Sequence, residues 1–581
     1  MRTLTLGTLV AALLGAQTST WRPVYLGMDG MVATAHYATA MSGYKMLAQG
    51  GDAVDAAAAA CFASTVVEPS RSGIGGDAFI LIYRAKTNEV IFINGGGWAP
   101  RRATAEFFRS KGGIPRDGAL SPVVPGAPAG LLLALEKYGK LKRGQVLAPA
   151  IELADRGFAV SENLQNVLRA NVKRLEAFPS SLPVWFRDGQ PLRMGDVVVR
   201  HNLGSTLRQI ATSGRDGFYK GPVAENTVRF LGRQGGIMEA ADLAEYEAEI
   251  GKPLHVRYRG YDVYGVGLPT QSPVMLETLK ILEAFDLKAM GHNSAEYIHY
   301  VAEALKLAFA DRDAYIGDPR FVPDVPIDTL LSDEHAKRRR VLIRPDRAID
   351  GVAPPGLQPS PVPVYASGRG SQVELTGAAA FPAWIESFTT HIDVVDKDRN
   401  MVTITSSVAS DFGSAMYVDG DAGGYFINDV LARFNIDPKH PNGLAPHKRP
   451  RQTLNPVLVM KDSKPLMVFG SPGGDTQGQS QLQFFLNYVE FGMNVQQALE
   501  QPYFATGAYH ESFDPHRAGR GLSVSRRIPV EVREELARRG HPVRTHSAMG
   551  VGSVKAIVVD PRSGVLMGGA APATDAYVIG W

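Results

Sequence analysis

Cysteine is nearly absent from this sequence, which has 581 residues and a single cysteine, Cys61. One cysteine excludes an intrachain disulfide. It lies in the alanine-rich run DAVDAAAAACFAS, which has helical character and offers none of the electropositive surroundings that activate a thiol. We therefore interpret Cys61 as a buried, unreactive side chain and look elsewhere for a nucleophile.

An excess of charge of one sign is also missing. Lysine and arginine total 61 and aspartate and glutamate total 58, which gives a formal net charge of +3. With no long basic block and no zinc-finger spacing, the sequence gives no electrostatic argument for binding nucleic acid. A hydrophobic fraction of 45% and a charged fraction of 20% are typical of a soluble globular protein, and the chain is long enough to bury a large core.

Long apolar runs are scarce too. The N-terminal segment MRTLTLGTLVAALLGAQTST has an early arginine, a short apolar run and then small residues. This pattern is typical of a signal peptide and too short for a membrane span, so we expect residues 1–19 to be a signal peptide. The mature protein would then be periplasmic or secreted, and otherwise cytoplasmic. No other stretch predicts a stable membrane span.

Periodicity predicts mixed helices and strands. Residues 30–69 indicate a short strand and two helices separated by Gly50-Gly51, and residues 78–98 indicate a hairpin around AKTNE. Residues 252–267 indicate a pair of strands, and residues 296–317 an amphipathic helix.

The composition changes after residue 350. Residues 350–386 are rich in proline, glycine, serine and alanine without any period, which is typical of an extended, mobile connector. The connector continues to Phe388 and is followed at once by Thr-Thr-His at the start of a well-patterned strand. Such a junction is a natural place for the chain to be cleaved, which would leave residues 20–388 and 389–581 as two fragments.

Two strands follow the junction, in HIDVVDKDRNMVTITSS. Thr403, Thr405 and Ser407 share one face of the second strand, and this face is either solvated or functional. Further on, the strand PLMVFG ends in Ser-Pro-Gly-Gly. Consecutive glycines allow backbone N–H groups to point at a small anion, although Ser-Pro-Gly-Gly is also a common turn.

These features fit together as the chemistry of an N-terminal threonine. If one of the two threonines becomes a chain terminus, its α-amine can act as the base for its own hydroxyl, and the glycine N–H groups can hold the oxyanion. The hydroxyl can make the cut itself by attacking the preceding carbonyl. No metal-ligand cluster, phosphate loop or nucleotide fingerprint competes, so no metal and no cofactor is expected. In FADRDAYIGDP, Asp311, Asp313 and Asp318 lack calcium-loop spacing and are interpreted as structural.

The sequence resembles the γ-glutamyltranspeptidases and their acylase-like relatives, which are Ntn-hydrolases. The resemblance runs from about Gly27 to the C-terminus and rests on motifs in the family's order. These are GGDAVDAAAAA, VVEPSRSGIGGDAF, VPGAPAGLLLALEKYGKL, LAPAIELADRGFAVS, FADRDAYIGDP, TTHIDVVDKD and GSPGGD. It implies an α+β fold, a four-layer αββα sandwich built by two fragments of one cleaved precursor.

The resemblance also assigns roles. It implies cleavage between Phe388 and Thr389, with Thr389 as the nucleophile and Ser407 as a hydroxyl that supports it. Gly473 and Gly474 fall on the positions that form the oxyanion hole. The two fragments are expected to remain associated.

The departures from the family pattern concern the substrate. Gly96 stands where γ-glutamyl enzymes carry an arginine for the glutamate carboxylate, and Ala409 and Val430 replace polar residues that hold the amine. Each lost hydrogen bond to a charged group is worth roughly 1.5–3 kcal/mol, so γ-glutamyl recognition should be lost. The forms GGDAF and GSPGGD are more similar to the acylase-like and amidohydrolase branch.

Four residues are the expected substrate contacts: Arg433, Gln452, Thr453 and Asp475. Arg433 replaces a carboxylate and would favour an acyl group that carries a free carboxylate. In the competing interpretation it turns to solvent or pairs with a structural acid such as Asp429.

Together these observations predict a self-processing threonine amidohydrolase or acylase that hydrolyses a small amide through an acyl-enzyme. A γ-glutamyltransferase or glutathione hydrolase with altered glutamate recognition is the first alternative. A family member that has lost catalysis and serves as a binding protein is the second, although the intact Thr-Thr-His and Gly-Gly elements argue against it.

Overall fold

The structure is a computed structural model that describes residues 20–357, 389–547, 552–572 and 575–581. The expected signal peptide, most of the connector and Phe388 lie outside the described residues. In the part of the chain that the structure describes, no helix has the length and apolar character needed to cross a membrane.

The helices vary from one turn to almost six. The α-helices of the described residues are α1 (Tyr37–Ala48), α2 (Ala53–Val67), α3 (Ala105–Ser110), α4 (Ala127–Tyr138), α5 (Arg143–Arg156), α6 (Glu162–Ala170), α7 (Val172–Glu176), α8 (Leu182–Trp185), α9 (His201–Ser213), α10 (Asp216–Tyr219), α11 (Gly221–Arg233), α12 (Ala240–Glu245), α13 (Ser272–Leu282), α14 (Leu287–Met290), α15 (Ala295–Tyr315), α16 (Ile327–Leu330), α17 (Asp333–Arg340), α18 (Gln477–Val489), α19 (Val495–Leu499) and α20 (Val530–Arg538). Short 3₁₀ turns cover Pro179–Ser181, Val430–Arg433 and Gly474–Thr476.

Most of the strands belong to two large sheets. The strands of the described residues are β1 (Tyr25–Gly27), β2 (Met31–Thr34), β3 (Asp77–Arg84), β4 (Glu89–Gly95), β5 (Phe158–Ala159), β6 (Phe186–Arg187), β7 (Gln190–Pro191), β8 (Val197–Val198), β9 (Glu249–Gly251), β10 (Leu254–Tyr258), β11 (Tyr261–Gly265), β12 (Thr389–Val395), β13 (Met401–Ser407), β14 (Tyr417–Val418), β15 (Tyr425–Phe426), β16 (Val457–Lys461), β17 (Lys464–Gly470), β18 (Phe504–Thr506), β19 (Leu522–Ser525), β20 (Val543–His546), β21 (Lys555–Val559), β22 (Leu566–Ala570) and β23 (Tyr577–Gly580).

Two seven-stranded antiparallel sheets stack face to face. One has the order β23-β2-β12-β13-β3-β4-β9 and the other β1-β22-β21-β17-β16-β11-β10. Helices α2 and α4 cover the outer face of the first sheet, and α13 and α18 that of the second, with α15 packed against α13. A third apolar cluster, which includes Phe79, Leu81 and Val468, fills the space between the sheets. The expected four-layer αββα sandwich is therefore confirmed.

Local sequence signals explain many of these elements. Gly50 has a φ of +87°, which favours glycine, and Asp52 with Asp55 forms a capping box that begins α2. The predicted strand and helix pair, the hairpin β3–β4 and the strand pair β10–β11 are all confirmed. Cys61 is fully buried in α2, and burial raises the pKa of its thiol to about 12, as expected for an unreactive side chain.

One helix differs from its predicted character. Residues 295–315 form α15 as expected, but the helix is buried on almost every face instead of being amphipathic. It packs against α13, α17, α20 and β18, so its charged residues pair inside the protein. Asp311 contacts His335, Asp313 contacts Arg312 and Asp318 contacts Arg320. The structural interpretation of these three aspartates is confirmed.

Candidate active site

The two threonines at the cleavage junction face opposite sides of the first sheet. Residue Thr389 begins β12 and points into the space between the sheets, where its Oγ1 donates to Oγ of Ser407 at 3.1 Å. Thr390 points to the helix layer and donates to Oε2 of Glu68 at 2.8 Å. Only one of the pair therefore faces the cleft, and it is Thr389, the residue that the resemblance predicts to be the nucleophile.

Strand register explains why Thr389 meets Ser407. The two residues are directly paired between β12 and β13, and directly paired residues place their side chains on the same face about 4.5–5.5 Å apart. The backbone N–H of Ala409 also donates to Oγ of Ser407, at 2.9 Å. The Ser407 hydroxyl is therefore positioned by the backbone just after β13 while it accepts the hydrogen bond from Thr389.

The row of side chains continues onto a third strand. Ser407 is paired with Asp77 at the start of β3. Thr389, Ser407 and Asp77 therefore lie side by side at the same end of three adjacent central strands. Asp77 is buried, and its carboxylate accepts from the N–H of Gly97 at 2.8 Å and from Nε2 of Gln452 at 2.6 Å. Burial raises the pKa of Asp77 to about 7, although the Gly97 N–H and the charge of Arg433 act in the opposite direction.

A buried polar cluster around His391 lies next to Thr389 along β12. Its ring bonds to Oγ1 of Thr405 and to Oδ1 of Asp393, each at 2.9 Å, and Thr403 lies 3.4 Å away. The hydroxyl face of β13 is therefore not solvated, because it packs against the second sheet. A Cβ on Gly470 would lie 2.2 Å from the His391 ring, which explains why β17 ends in glycine here.

The glycine loop begins at this contact between Gly470 and His391, and His391 is two residues from Thr389 along β12. Gly473 has a φ of +124° and Gly474 a φ of +55°, conformations that favour glycine. Within the described residues, neither amide donates to a loop carbonyl or side chain. A Cβ on Gly474 would meet nothing within 4 Å, so the loop borders open space. The turn leads directly into α18, whose N-terminus favours negative charge.

Asp475 stabilises this loop from behind. Its carboxylate accepts from Nη1 of Arg312 at 2.5 Å, and from the backbone N and Oγ of Ser512 at 3.0 and 2.5 Å. Gln271 connects the loop to the neighbouring strand, since its Nε2 donates to the carbonyls of Gly474 and Thr453 at 2.9 and 2.8 Å. Both oxygens of Asp475 are thus engaged within the protein, which favours a positioning role over direct substrate contact.

The Arg433 side chain is buried, with 2% of its surface exposed. Nη1 donates to Oγ1 of Thr453 at 2.8 Å, and the guanidinium lies 4.8 Å from the centre of the Phe513 ring. Among the described residues no carboxylate lies within 4 Å of it, and its Nε has no partner. The nearby acid Asp429 bonds instead to Ser410. Neither the solvent-facing nor the Asp429-paired arrangement is therefore observed.

The positions at which the resemblance leads us to expect polar groups are buried in this chain. Ala409 and Val430 belong to one buried apolar cluster. Gly96 is packed so closely that a Cβ would lie 2.7 Å from the Phe79 ring, so the fold has no room for a side chain there. Val430 and Arg433 belong to the same 3₁₀ turn, so the buried guanidinium and this apolar cluster lie in the same region.

Sequence reasoning missed Asp77, Glu68 and Gln271. Asp77 was visible within GGDAF, but its importance depends on the pairing of β3 with β13, which are more than 300 residues apart. Glu68 follows the end of α2, and burial raises its pKa while it accepts from Thr390. No local pattern reveals such long-range neighbours.

Comparison with known proteins agrees with this geometry. The Gamma-glutamyltranspeptidase family profile matches residues 39–581. The chain is 33% identical to the glutathione hydrolase proenzyme of Bacillus subtilis (strain 168) over 569 residues, which are 96% of this chain and 93% of that protein. It is 32% identical to the acylase ACY 1 proenzyme of Pseudomonas sp. (strain SE83), over 94% of this chain and 92% of that protein.

A solved structure matches over the whole fold. The cephalosporin acylase from Bacillus halodurans superposes with a TM-score of 0.85 and 31% identity, over 98% of each chain. The match includes both sheets and the helices outside them, which is the arrangement that places Thr389 between the sheets. The chain therefore belongs to the gamma-glutamyltranspeptidase family, in its acylase-like branch, and is an Ntn-type amide hydrolase.

Proposed function

We propose that this chain is a self-processing N-terminal-threonine amidohydrolase that removes a carboxylate-bearing acyl group from a small amide. The observation that carries the proposal is the position of Thr389: it is the first residue of a central strand, faces the cleft and contacts Ser407. The relatives named above are proenzymes, which supports maturation of this chain by cleavage as well.

Maturation would begin with Thr389 itself. Its Oγ attacks the carbonyl carbon of Phe388, the C–N bond breaks and an ester replaces the peptide bond. Water then hydrolyses the ester, which releases the carboxyl group of Phe388 and leaves the α-amine of Thr389 free. The products are one fragment that ends at Phe388 and one that begins at Thr389.

Turnover would use the new amine as the base. The α-amine takes the proton from Oγ of Thr389, Oγ attacks the amide carbon of the substrate, and the N–H groups of Gly473 and Gly474 bind the oxyanion. The protonated amine gives its proton to the leaving nitrogen, which forms the acyl-enzyme. Water attacks this ester with the same base, and the free acid leaves.

The acyl group would be selected by charge. Arg433 is buried with no carboxylate within 4 Å among the described residues, although the charges of Asp475, Asp429 and Asp77 act on it from farther away. A carboxylate of the ligand in direct contact would stabilise the buried guanidinium further. Arg116 contacts the same Phe513 ring, at 4.1 Å, and also lies 3.9 Å from Asp429. A guanidinium can grip a carboxylate with two hydrogen bonds, so oxalyl, succinyl and glutaryl amides fit best.

The test is a substrate panel with purified, cleaved protein. Oxalyl, succinyl and glutaryl anilides are compared with acetyl, butyryl and benzoyl anilides. We expect hydrolysis of at least one anionic anilide, with a kcat/KM that exceeds that of the uncharged anilides by about 10-fold or more. A clear preference for uncharged amides would overturn the charge selection, and no hydrolysis of any amide would overturn the activity.

A further inference from the structure

The carboxyl group of Asp77 has no task in the reaction described above, yet it lies in the same row as Thr389 and Ser407. Its two oxygens have different partners. Oδ1 accepts from the backbone N–H of Gly97 at 2.8 Å, and Oδ2 accepts from the side-chain Nε2 of Gln452 at 2.6 Å. The backbone partner is fixed as a donor, whereas the amide of Gln452 can present either of its ends.

An ionised carboxylate is an acceptor only, so Asp77 requires Gln452 to turn its NH₂ group inward. The amide oxygen of Gln452 then points away from Asp77. Among the described residues no donor bonds to this oxygen, although Gln452 is buried. Gln452 directly precedes Thr453, which bonds to Arg433, and the charge of Arg433 acts on Asp77. The Gln452 amide therefore lies in the same region as the group proposed to bind the acyl carboxylate.

We infer that Asp77 is a positioning residue that sets which end of the Gln452 amide meets the acyl group, and thereby selects acyl groups with an uncharged hydrogen-bond donor next to their carboxylate. The inference rests on the proposed function, because it concerns the same acyl pocket. An acyl group with a hydroxyl at carbon 2 supplies such a donor. A keto group at carbon 2 is an acceptor only and would face the oxygen of Gln452 unfavourably.

Protonation of Asp77 would reverse the preference. The new O–H would donate to the amide oxygen of Gln452, the amide would rotate, and its NH₂ group would face the substrate. Burial raises the pKa of Asp77 to about 7, so this change falls near neutral pH. The charged and titratable groups that act on Asp77 are Arg433, Arg449, Tyr219 and Tyr246. The arginines remain charged and burial raises the pKa of both tyrosines, so none of these four changes its charge near neutral pH.

A free α-amine, such as the one that cleavage would create at Thr389, ordinarily has a pKa of about 8, and a matched pair of substrates removes its effect. The pair is 2-hydroxyglutaryl and 2-oxoglutaryl anilide, each with the anilide on the carboxyl group farther from carbon 2. Both use the same nucleophile and base, so the ratio of their kcat/KM values reports on the acyl pocket. In the wild type we expect the ratio to favour the hydroxy substrate by about 3- to 10-fold above pH 7 and to fall below 1 at lower pH.

Asp77→Asn mimics the protonated state. Its Oδ1 must accept from Gly97, so its NH₂ group faces Gln452 and turns the NH₂ group of Gln452 toward the substrate. The ratio should then favour the keto substrate at every pH. In the double variant Asp77→Asn/Gln452→Glu, one Glu oxygen accepts from Asn and the other is an acceptor for the substrate, which should restore the preference for the hydroxy substrate.

The outcomes separate the two proposals. A ratio that is independent of pH in the wild type, or is the same in the wild type and Asp77→Asn, overturns the inference while hydrolysis of both anilides leaves the proposed function intact. If cleaved wild-type protein hydrolyses neither anilide and no other anionic amide, the proposed function fails and the inference fails with it. Binding of 2-hydroxyglutarate and 2-oxoglutarate, measured by calorimetry, gives the same ratio without turnover if a variant is inactive.

Discussion

The catalytic end of the cleft and its acyl pocket differ in how much they keep of the family pattern. At the catalytic end, Thr389 contacts Ser407, and the glycine loop keeps open N–H groups next to them. In the proposed acyl pocket, Gly96 has no room for a side chain, Ala409 and Val430 are buried in an apolar cluster, and Arg433 is buried. Under the proposed function, the chemistry of bond cleavage is retained while the charge that recognises the acyl group is reversed.

The largest expected difference in catalytic efficiency is between γ-glutamyl substrates and glutaryl anilide. We expect the cleaved enzyme to hydrolyse glutathione and γ-glutamyl anilide at least about 100-fold less efficiently than glutaryl anilide, since several charged hydrogen bonds are lost and Arg433 repels the ammonium group. Steady-state kcat/KM values for the two anilides give the ratio. A kcat/KM for glutathione of about 10⁴ M⁻¹s⁻¹ or more would show that the acyl pocket still recognises glutamate.

A smaller effect is expected for Arg433→Ala. Loss of a charged hydrogen-bonding partner should raise KM for glutaryl anilide by about 10- to 100-fold, while cleavage of the chain is unchanged because the acyl pocket takes no part in it. Arg433→Lys is the matched control, since it keeps the charge and loses the two-pronged geometry, and should have an intermediate KM. An unchanged KM in Arg433→Ala would remove this residue from the pocket.

At the catalytic end, Ser407→Ala should lower kcat by about 10-fold. It removes the acceptor for the Thr389 hydroxyl and the Ala409 N–H, and each such hydrogen bond is worth about 0.5–1.5 kcal/mol. Ser407→Thr keeps the hydroxyl and should retain most of the activity. Equal rates for the alanine and threonine variants would indicate that the contact with Thr389 has no catalytic effect.

The smallest effect is expected at Cys61. Burial raises the pKa of its thiol to about 12, so the thiolate is scarce at pH 8 and the side chain is inaccessible. Iodoacetamide should therefore leave activity unchanged in the folded enzyme and modify Cys61 only after denaturation, as mass spectrometry would show. Rapid inactivation with modification of Cys61 would contradict the assignment of an oxygen nucleophile.

The sequence was sufficient to predict structure where the residues that determine it are close together along the chain. The period of two placed Thr403, Thr405 and Ser407 on one face of β13, and Gly50-Gly51 marked the end of α1. The sequence was insufficient where the burial of a residue depends on elements far away along the chain. Helix α15 was predicted to be amphipathic, but helices from other parts of the chain cover its polar face. Asp77 was overlooked for the same reason, because only the register of β3 with β13 brings it beside Ser407.

The most direct test of the central claim is the mass and N-terminal sequence of the purified protein. Cleavage before Thr389 would give a C-terminal fragment of 581 − 388 = 193 residues that begins Thr-Thr-His. Thr389→Ala should yield a single uncut chain, since the hydroxyl that attacks the preceding carbonyl is gone, and Thr390→Ala should still be cut. An uncut wild-type chain, a cut at another position, or a cut in Thr389→Ala would contradict the assignment of Thr389 as the nucleophile.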